Sequence, residues 1–133
     1  MSGVAIVGDL LRGYAQLLEV VPADRIKAGR LPDGVALPAL LVRKVSSVDR
    51  QPLKRGADVR ETERVSVTVR AKSYREQVAV IKLVRTCCAG KTGNLAGFAR
   101  TSVLTAGTGP DIAGPGDSFE QTQDFRVSFD APA

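Results

Sequence analysis

The chain has 133 residues, which suits one domain, residues 1–133, with a core of its own. Hydrophobic residues make up 44% and charged residues 25%, the composition of a globular protein rather than a disordered or fibrous one. The net charge of +5 permits a polyanionic neighbour without demanding one, and the lack of any histidine removes the commonest general base and metal ligand.

In chain order, Val4 to Val21 reads as a helix with Val7, Leu10, Leu11, Tyr14, Leu17 and Leu18 on its buried stripe. No basic segment followed by an apolar run precedes it, so no signal peptide is expected. Pro22 ends the helix, and Asp24 to Leu31 fits a short edge strand closed by the turn Pro32-Asp33-Gly34. The longest apolar run, Val35 to Val42, is short and broken by Pro38, which excludes a membrane span there. It leads into a strand, Leu40 to Val48. A long polar connection over 49–60 follows, too long for a tight hairpin and carrying Arg50, Lys54, Arg55 and Arg60.

The stretch from Glu61 to Gly90 is the most sharply patterned. Val65, Val67, Val69 and Ala71 alternate with Arg64, Ser66, Thr68 and Arg70, which describes a strand with one dry and one wet face. Ser73 and Glu76 form a capping box, and Tyr74, Val78, Ile81, Val84 and Cys88 recur at helical spacing up to a Gly90 stop. Lys91 to Gly97 reads as a glycine-rich loop. Phe98 to Ala106 reads as a strand with Phe98, Arg100, Ser102 and Leu104 opposite Ala99, Thr101, Val103 and Thr105. The segment 107–117, with its glycines and prolines, reads as a loop or arm. Ser118 to Asp130 is a clear strand, with Phe119, Gln121, Gln123, Phe125, Val127 and Phe129 on one face, and Ala131-Pro132-Ala133 is a free tail. The expected fold is α+β: an antiparallel sheet of four to five strands with two helices packed on one face.

Catalytic chemistry finds little support. Adjacent helical residues point about 100° apart, so Cys87 and Cys88 are expected as reduced core residues of a cytosolic protein rather than a disulfide or zinc pair. Gly90-Lys91-Thr92 resembles the end of a phosphate loop, but Arg85 stands where its first glycine belongs and the helix comes before it, not after. Glu61 and Glu63 share a strand face among cations, the setting of an ion network rather than of acid/base work. No nucleophile, cofactor or metal set emerges, and a hydrolase or transferase has no supporting motif.

Charge distribution says more. Arg43 to Arg75 holds ten basic residues against four acids, and Asp111 to Ala133 holds five acids against Arg126. Two such surfaces are complementary, and copies joined head to tail through unlike surfaces close into a ring. Arg64, Arg70, Glu120, Asp124 and Arg126 are the candidates for contacts between subunits. A basic middle also admits a small nucleic-acid-binding module, although only six aromatic residues exist and three phenylalanines lie on a core face.

The layout as a whole resembles the tail terminator (tail completion) proteins of long-tailed bacteriophages and gene transfer agents. The likeness rests on the first helix, on Val35-Ala36-Leu37-Pro38-Ala39-Leu40-Leu41-Val42 entering a strand, and on the long polar connection. It continues through Arg64-Val65-Ser66-Val67-Thr68-Val69-Arg70-Ala71 running into Ser73-Tyr74-Arg75-Glu76, and closes on Asp124-Phe125-Arg126-Val127. The segment Gly107–Gly116 departs from it. The resemblance implies a non-enzymatic structural subunit of a hexameric ring in the virion, at the head-proximal end of the tail, assembled in the host cytoplasm. Such a ring caps the tail tube, stops its polymerisation and meets the head–tail connector (neck protein). DNA passes through its lumen without sequence specificity, and neither a membrane nor a cofactor is involved. Arg50, Lys54, Arg55 and Arg60 would then face the lumen or a partner, and 107–116 would be an arm ordered by a neighbour. A head-completion or neck-ring protein is the nearest alternative.

Overall fold

A computed structural model describes residues 2–32, 34–50, 53 and 56–132. Its elements are helix α1 (Ser2–Arg12), helix α2 (Ala15–Leu18), strands β1 (Ile26–Ala28), β2 (Ala39–Arg50) and β3 (Asp58–Ala71), helix α3 (Tyr74–Cys88), then strands β4 (Lys91–Leu95), β5 (Phe98–Thr108), β6 (Ile112–Ala113) and β7 (Phe119–Pro132).

The strands form one seven-stranded sheet in the order β1-β2-β3-β7-β5-β4, with β6 attached to β7. The pairing is antiparallel except for β1, which runs parallel to β2. The sheet is therefore mixed and larger than the four or five antiparallel strands expected. β3 and β7, fourteen residues each, pair along their whole length from Asp58↔Pro132 to Ala71↔Phe119. Ala131 and Pro132 thus belong to the sheet and not to a free tail.

One face of this sheet is dry. Leu40, Val42, Val65, Val67, Val69, Phe125, Val127 and Phe129 are buried on it, beneath Ile6, Val7, Leu11 and Leu17 from α1 and α2 and Val80, Val84 and Cys88 from α3. The predicted first helix is broken at Gly13 and Tyr14, and Tyr14 is extended (φ −101°, ψ 101°). Glycine is a poor helix former, so the break falls at the weakest point of the run, while the predicted apolar stripe still reaches the core from both pieces.

α3 is capped as expected: the Glu76 amide donates to Ser73 Oγ at 3.1 Å, and Glu76 Oε1 accepts from the Lys72 amide at 2.9 Å. Gly90 follows in the left-handed region (φ 75°), as a helix stop requires. The buried stripe is rotated from the expected one. Gln77, Val80, Ile81, Val84, Cys87 and Cys88 face inward, while Tyr74 and Val78 are exposed. A polar residue, Gln77, occupies the start of the stripe because Asp111 and Gln121 accept hydrogen bonds from its amide.

Three further corrections come from turns and bulges. Residues 91–95 are not a loop but strand β4, joined to β5 by Ala96-Gly97, both at positive φ (51° and 82°). That is the conformation of a tight two-residue hairpin turn. In β5 the register shifts between Ala99 and Ser102, where Arg100 sits at φ 53°. The shift lets Phe98 and Val103 share the core, against the strict alternation expected, and Phe98 meets Phe129 edge-on at 5.2 Å. The segment 107–117 is tied to its own chain: β6 pairs with β7, and the Gly109 amide donates to Thr122 O at 2.8 Å.

Candidate functional site

The helices cover only one side of the sheet. The other side is a polar ladder along β3 and β7. Its rungs are Arg60↔Asp130, Thr62↔Ser128, Arg64↔Arg126, Ser66↔Asp124, Thr68↔Thr122 and Arg70↔Glu120. Arg70 Nε donates to Glu120 Oε2 at 2.6 Å, Arg60 Nη1 to Asp130 Oδ1 at 3.2 Å, and the Thr62–Ser128 and Thr68–Thr122 hydroxyl pairs each lie 3.0 Å apart. Opposite charges and hydroxyls placed across strands stabilise a sheet by a few tenths to about 1 kcal/mol per pair.

This ladder overturns the expected division into a basic and an acidic surface. The charges that were to join two copies sit on neighbouring strands of one copy, because β3 and β7 are adjacent although about sixty residues apart in the chain. Arg64, Arg70, Glu120 and Asp124 are all engaged internally: Arg64 Nε donates to Asp124 Oδ2 at 2.8 Å and Arg64 Nη2 to Ala106 O at 3.0 Å. Arg126 is the exception. It stands opposite another arginine, is exposed, and makes no ion pair among the described residues.

The basic-loop candidates divide. Arg60 is a half-buried residue of β3; it also donates to Arg100 O, and Arg100 lies 3.5 Å from Asp130. Arg50 ends β2, paired with Arg60 in register. Lys54 and Arg55 lie outside the described residues. Glu63, expected in an ion network beside Glu61, is instead buried on the dry face at 4% exposure, where it accepts the Gly3 amide at 3.1 Å near the start of α1.

Chemistry is sparse. Among the described residues no group of three or more His, Cys, Asp or Glu is placed to hold a metal ion. No helix among them is long and apolar enough to cross a membrane. Cys87 and Cys88 are free and buried, as expected. The Cys87 thiol donates to Leu10 O at 3.1 Å; the adjoining Cys87 sulfur, together with burial, pushes the Cys88 thiol up, while Cys88 and the nearby Lys91 ammonium draw Cys87 down.

Two hollows remain. A cleft of about 410 Å³ at the β1–β2 edge is lined by Val4, Ala28, Gly29, Val42, Arg43 and Lys44. A smaller one of about 180 Å³ on the polar face is lined by Ser46, Val48, Thr62, Arg64, Ala106 and Arg126. Ser46, Val48 and Thr62 had no sequence signal of their own; the register of β2 on β3 brings them to Arg64.

A family model described as Tail completion protein gp17 matches residues 6–130. No curated protein matches the sequence. Among solved structures, a chain of the virion of a native gene transfer agent particle superposes with a TM-score of 0.70 at 14% identity, over 96% of this chain and 94% of that one. Another solved chain gives a TM-score of 0.59 at 12% identity, over 97% of this chain and 95% of its own. At such identities these likenesses show a shared fold.

Proposed function

The chain belongs to the tail completion protein gp17 family and is a structural protein of a virion tail, and from that premise we propose that it is the tail terminator. In this reading six copies form a ring at the head-proximal end of the tail. The ring caps the finished tube, stops its polymerisation and offers the joint to the head–tail connector, with DNA passing through the lumen. No catalysis is part of the role.

The observation that carries ring formation is the pair of unlike open edges of the sheet. β1 covers the outer edge of β2 only from Leu40 to Val42, and residues 43–48 beyond it are exposed. At the far end, β4 pairs only with β5, and Lys91 to Asn94 are exposed. A strand edge presents unpaired amides and carbonyls that a neighbour can complete. Joining one kind of edge to the other is a head-to-tail contact, and such contacts close into rings when the rotation permits. The intramolecular Arg–carboxylate pairs leave the edges, rather than charge segregation, as the basis for this contact.

The test is the solution mass of the purified protein across concentration and salt, with and without purified tail tubes. A ring, or a monomer that becomes a ring on tubes, is the expected result. A monomer that ignores tubes and binds duplex DNA, with affinity falling steeply in salt, overturns the assignment in favour of a nucleic-acid module. Co-sedimentation with connectors but not with tubes would move the protein to the neck.

A further inference from the structure

The rung Arg64↔Arg126 is the one like-charge pair in a ladder whose other charged cross-strand pairs have opposite sign. Like charges directly opposite each other on antiparallel strands destabilise the pairing. Arg64 turns its guanidinium to Asp124 and to Ala106 O, leaving Arg126 beside it with no counter-ion among the described residues. Both arginines line the hollow of about 180 Å³, together with Ser46 and with Thr62, whose hydroxyl is paired with Ser128. Two guanidiniums and two hydroxyls around a space of that size form a seat for one small oxyanion, since a planar guanidinium matches a carboxylate or phosphate fork.

The surroundings choose between these anions. Val48 is 70% exposed and lines the hollow, and Leu104, paired with Arg126, is 51% exposed on the neighbouring strand. An exposed aliphatic residue on either side suits a peptide segment. Asp124, Asp130 and Glu120 occupy the same face of β7, so a polyanion tracking along the sheet meets three carboxylates, whereas a single inserted side chain has only Asp124 beside it, a carboxylate already held by Arg64 Nε. We propose that the Arg64–Arg126 hollow receives an aspartate or glutamate side chain of a partner protein, flanked in that partner by an apolar residue that packs on Val48 or Leu104. This rests on the virion-tail reading only for where the partner is found.

The test follows the arginine Nε–H resonances of the whole protein by NMR while sodium N-acetyl-L-aspartate replaces sodium chloride at constant ionic strength. The signals of Arg64 and Arg126 are expected to move together and saturate, and Arg126→Gln abolishes the response. Removing the like-charge rung should leave that variant folded and raise its Tm by about 1–3 °C. In parallel, Arg126→Gln is expected to lower the yield of joined particles at least tenfold and Arg126→Lys to restore it in part. Shifts spread evenly over all exposed arginines, or a short DNA duplex moving these two signals in preference to the carboxylate, overturn the proposal. If Arg126→Gln caps tubes and joins heads to tails as well as wild type does, the seat is refuted and the terminator role stands. If wild type ignores tubes while the two resonances still respond, the role fails and the seat survives.

Discussion

At the scale of single residues, one tight constraint lies where α1 meets the sheet. A Cβ added at Gly3 would lie 2.6 Å from Glu63 Oε1 and 2.9 Å from Val65 Cγ2. Glu63 cannot swing aside cheaply, since it is buried and holds the Gly3 amide, and the branched Val65 is stiff and fully buried. Gly3→Ala should therefore cost about 1–3 kcal/mol, the usual penalty for overpacking a filled site. A urea melt checks this, and an unchanged midpoint would show that α1 shifts freely. Glu63 itself shows how position overrides composition. An acid two residues from another looks like surface in the sequence, yet the register of β3 turns Glu63 inward, where a helix-start amide satisfies it. The exposed Arg126 makes the converse point, because its lack of an ion pair among the described residues becomes visible only when Arg64 is found opposite it.

At the scale of elements, local rules and long-range contacts divide the work. The start of α3 obeys the local rule. Ser73 accepts the Glu76 amide, so Ser73→Ala should destabilise by about 1 kcal/mol, and Ser73→Asp by much less, as thermal melts would report. The segment 107–117 obeys contacts instead. Gln77 donates to Asp111 Oδ1 at 2.7 Å and to Gln121 Oε1 at 3.3 Å, and Gln121 donates to Gly109 O at 3.0 Å. Gln123, fully buried, donates to Gly107 O at 3.1 Å and accepts from Thr108 Oγ1. Gly107–Gly116 is therefore held by its own chain and needs no neighbour to order it. Gln77→Ala should loosen it, and limited proteolysis of the isolated protein should then cut between Gly107 and Gly116 several times faster than in wild type. Equal cutting rates would mean that the β6–β7 pairing alone is sufficient.

At the scale of the whole molecule, the connection between β2 and β3 is the segment to test. Helices α1 and α3 cover the dry face, and the β2–β3 hairpin carries on through Arg50 and Asp58 toward the connection between them. Replacing residues 51–57 with a short Gly-Ser turn spares every described strand residue. The Tm should stay within about 2 °C of wild type, because changing the length of a connection alters its closure entropy only slightly, while joining of heads to tails should fall sharply. Normal joining by that variant would exclude the connection from the role. The sequence by itself determined the elements whose periodicity is local: the alternation of β3 and β7, the capping box of α3 and the apolar stripe of α1. It also determined the diffuse likeness to tail completion proteins, which the family match bears out. Tertiary structure alone decided what depends on pairing between distant segments. β4 and β6 are too short and glycine-bordered to alternate visibly, and the bulge at Arg100 resets the phase of β5. The adjacency of β3 and β7 decided the rest. A strand's hydrogen bonds are made to a neighbour and not to itself, so no count of charges along the chain reveals that the basic strand has already met its acidic partner.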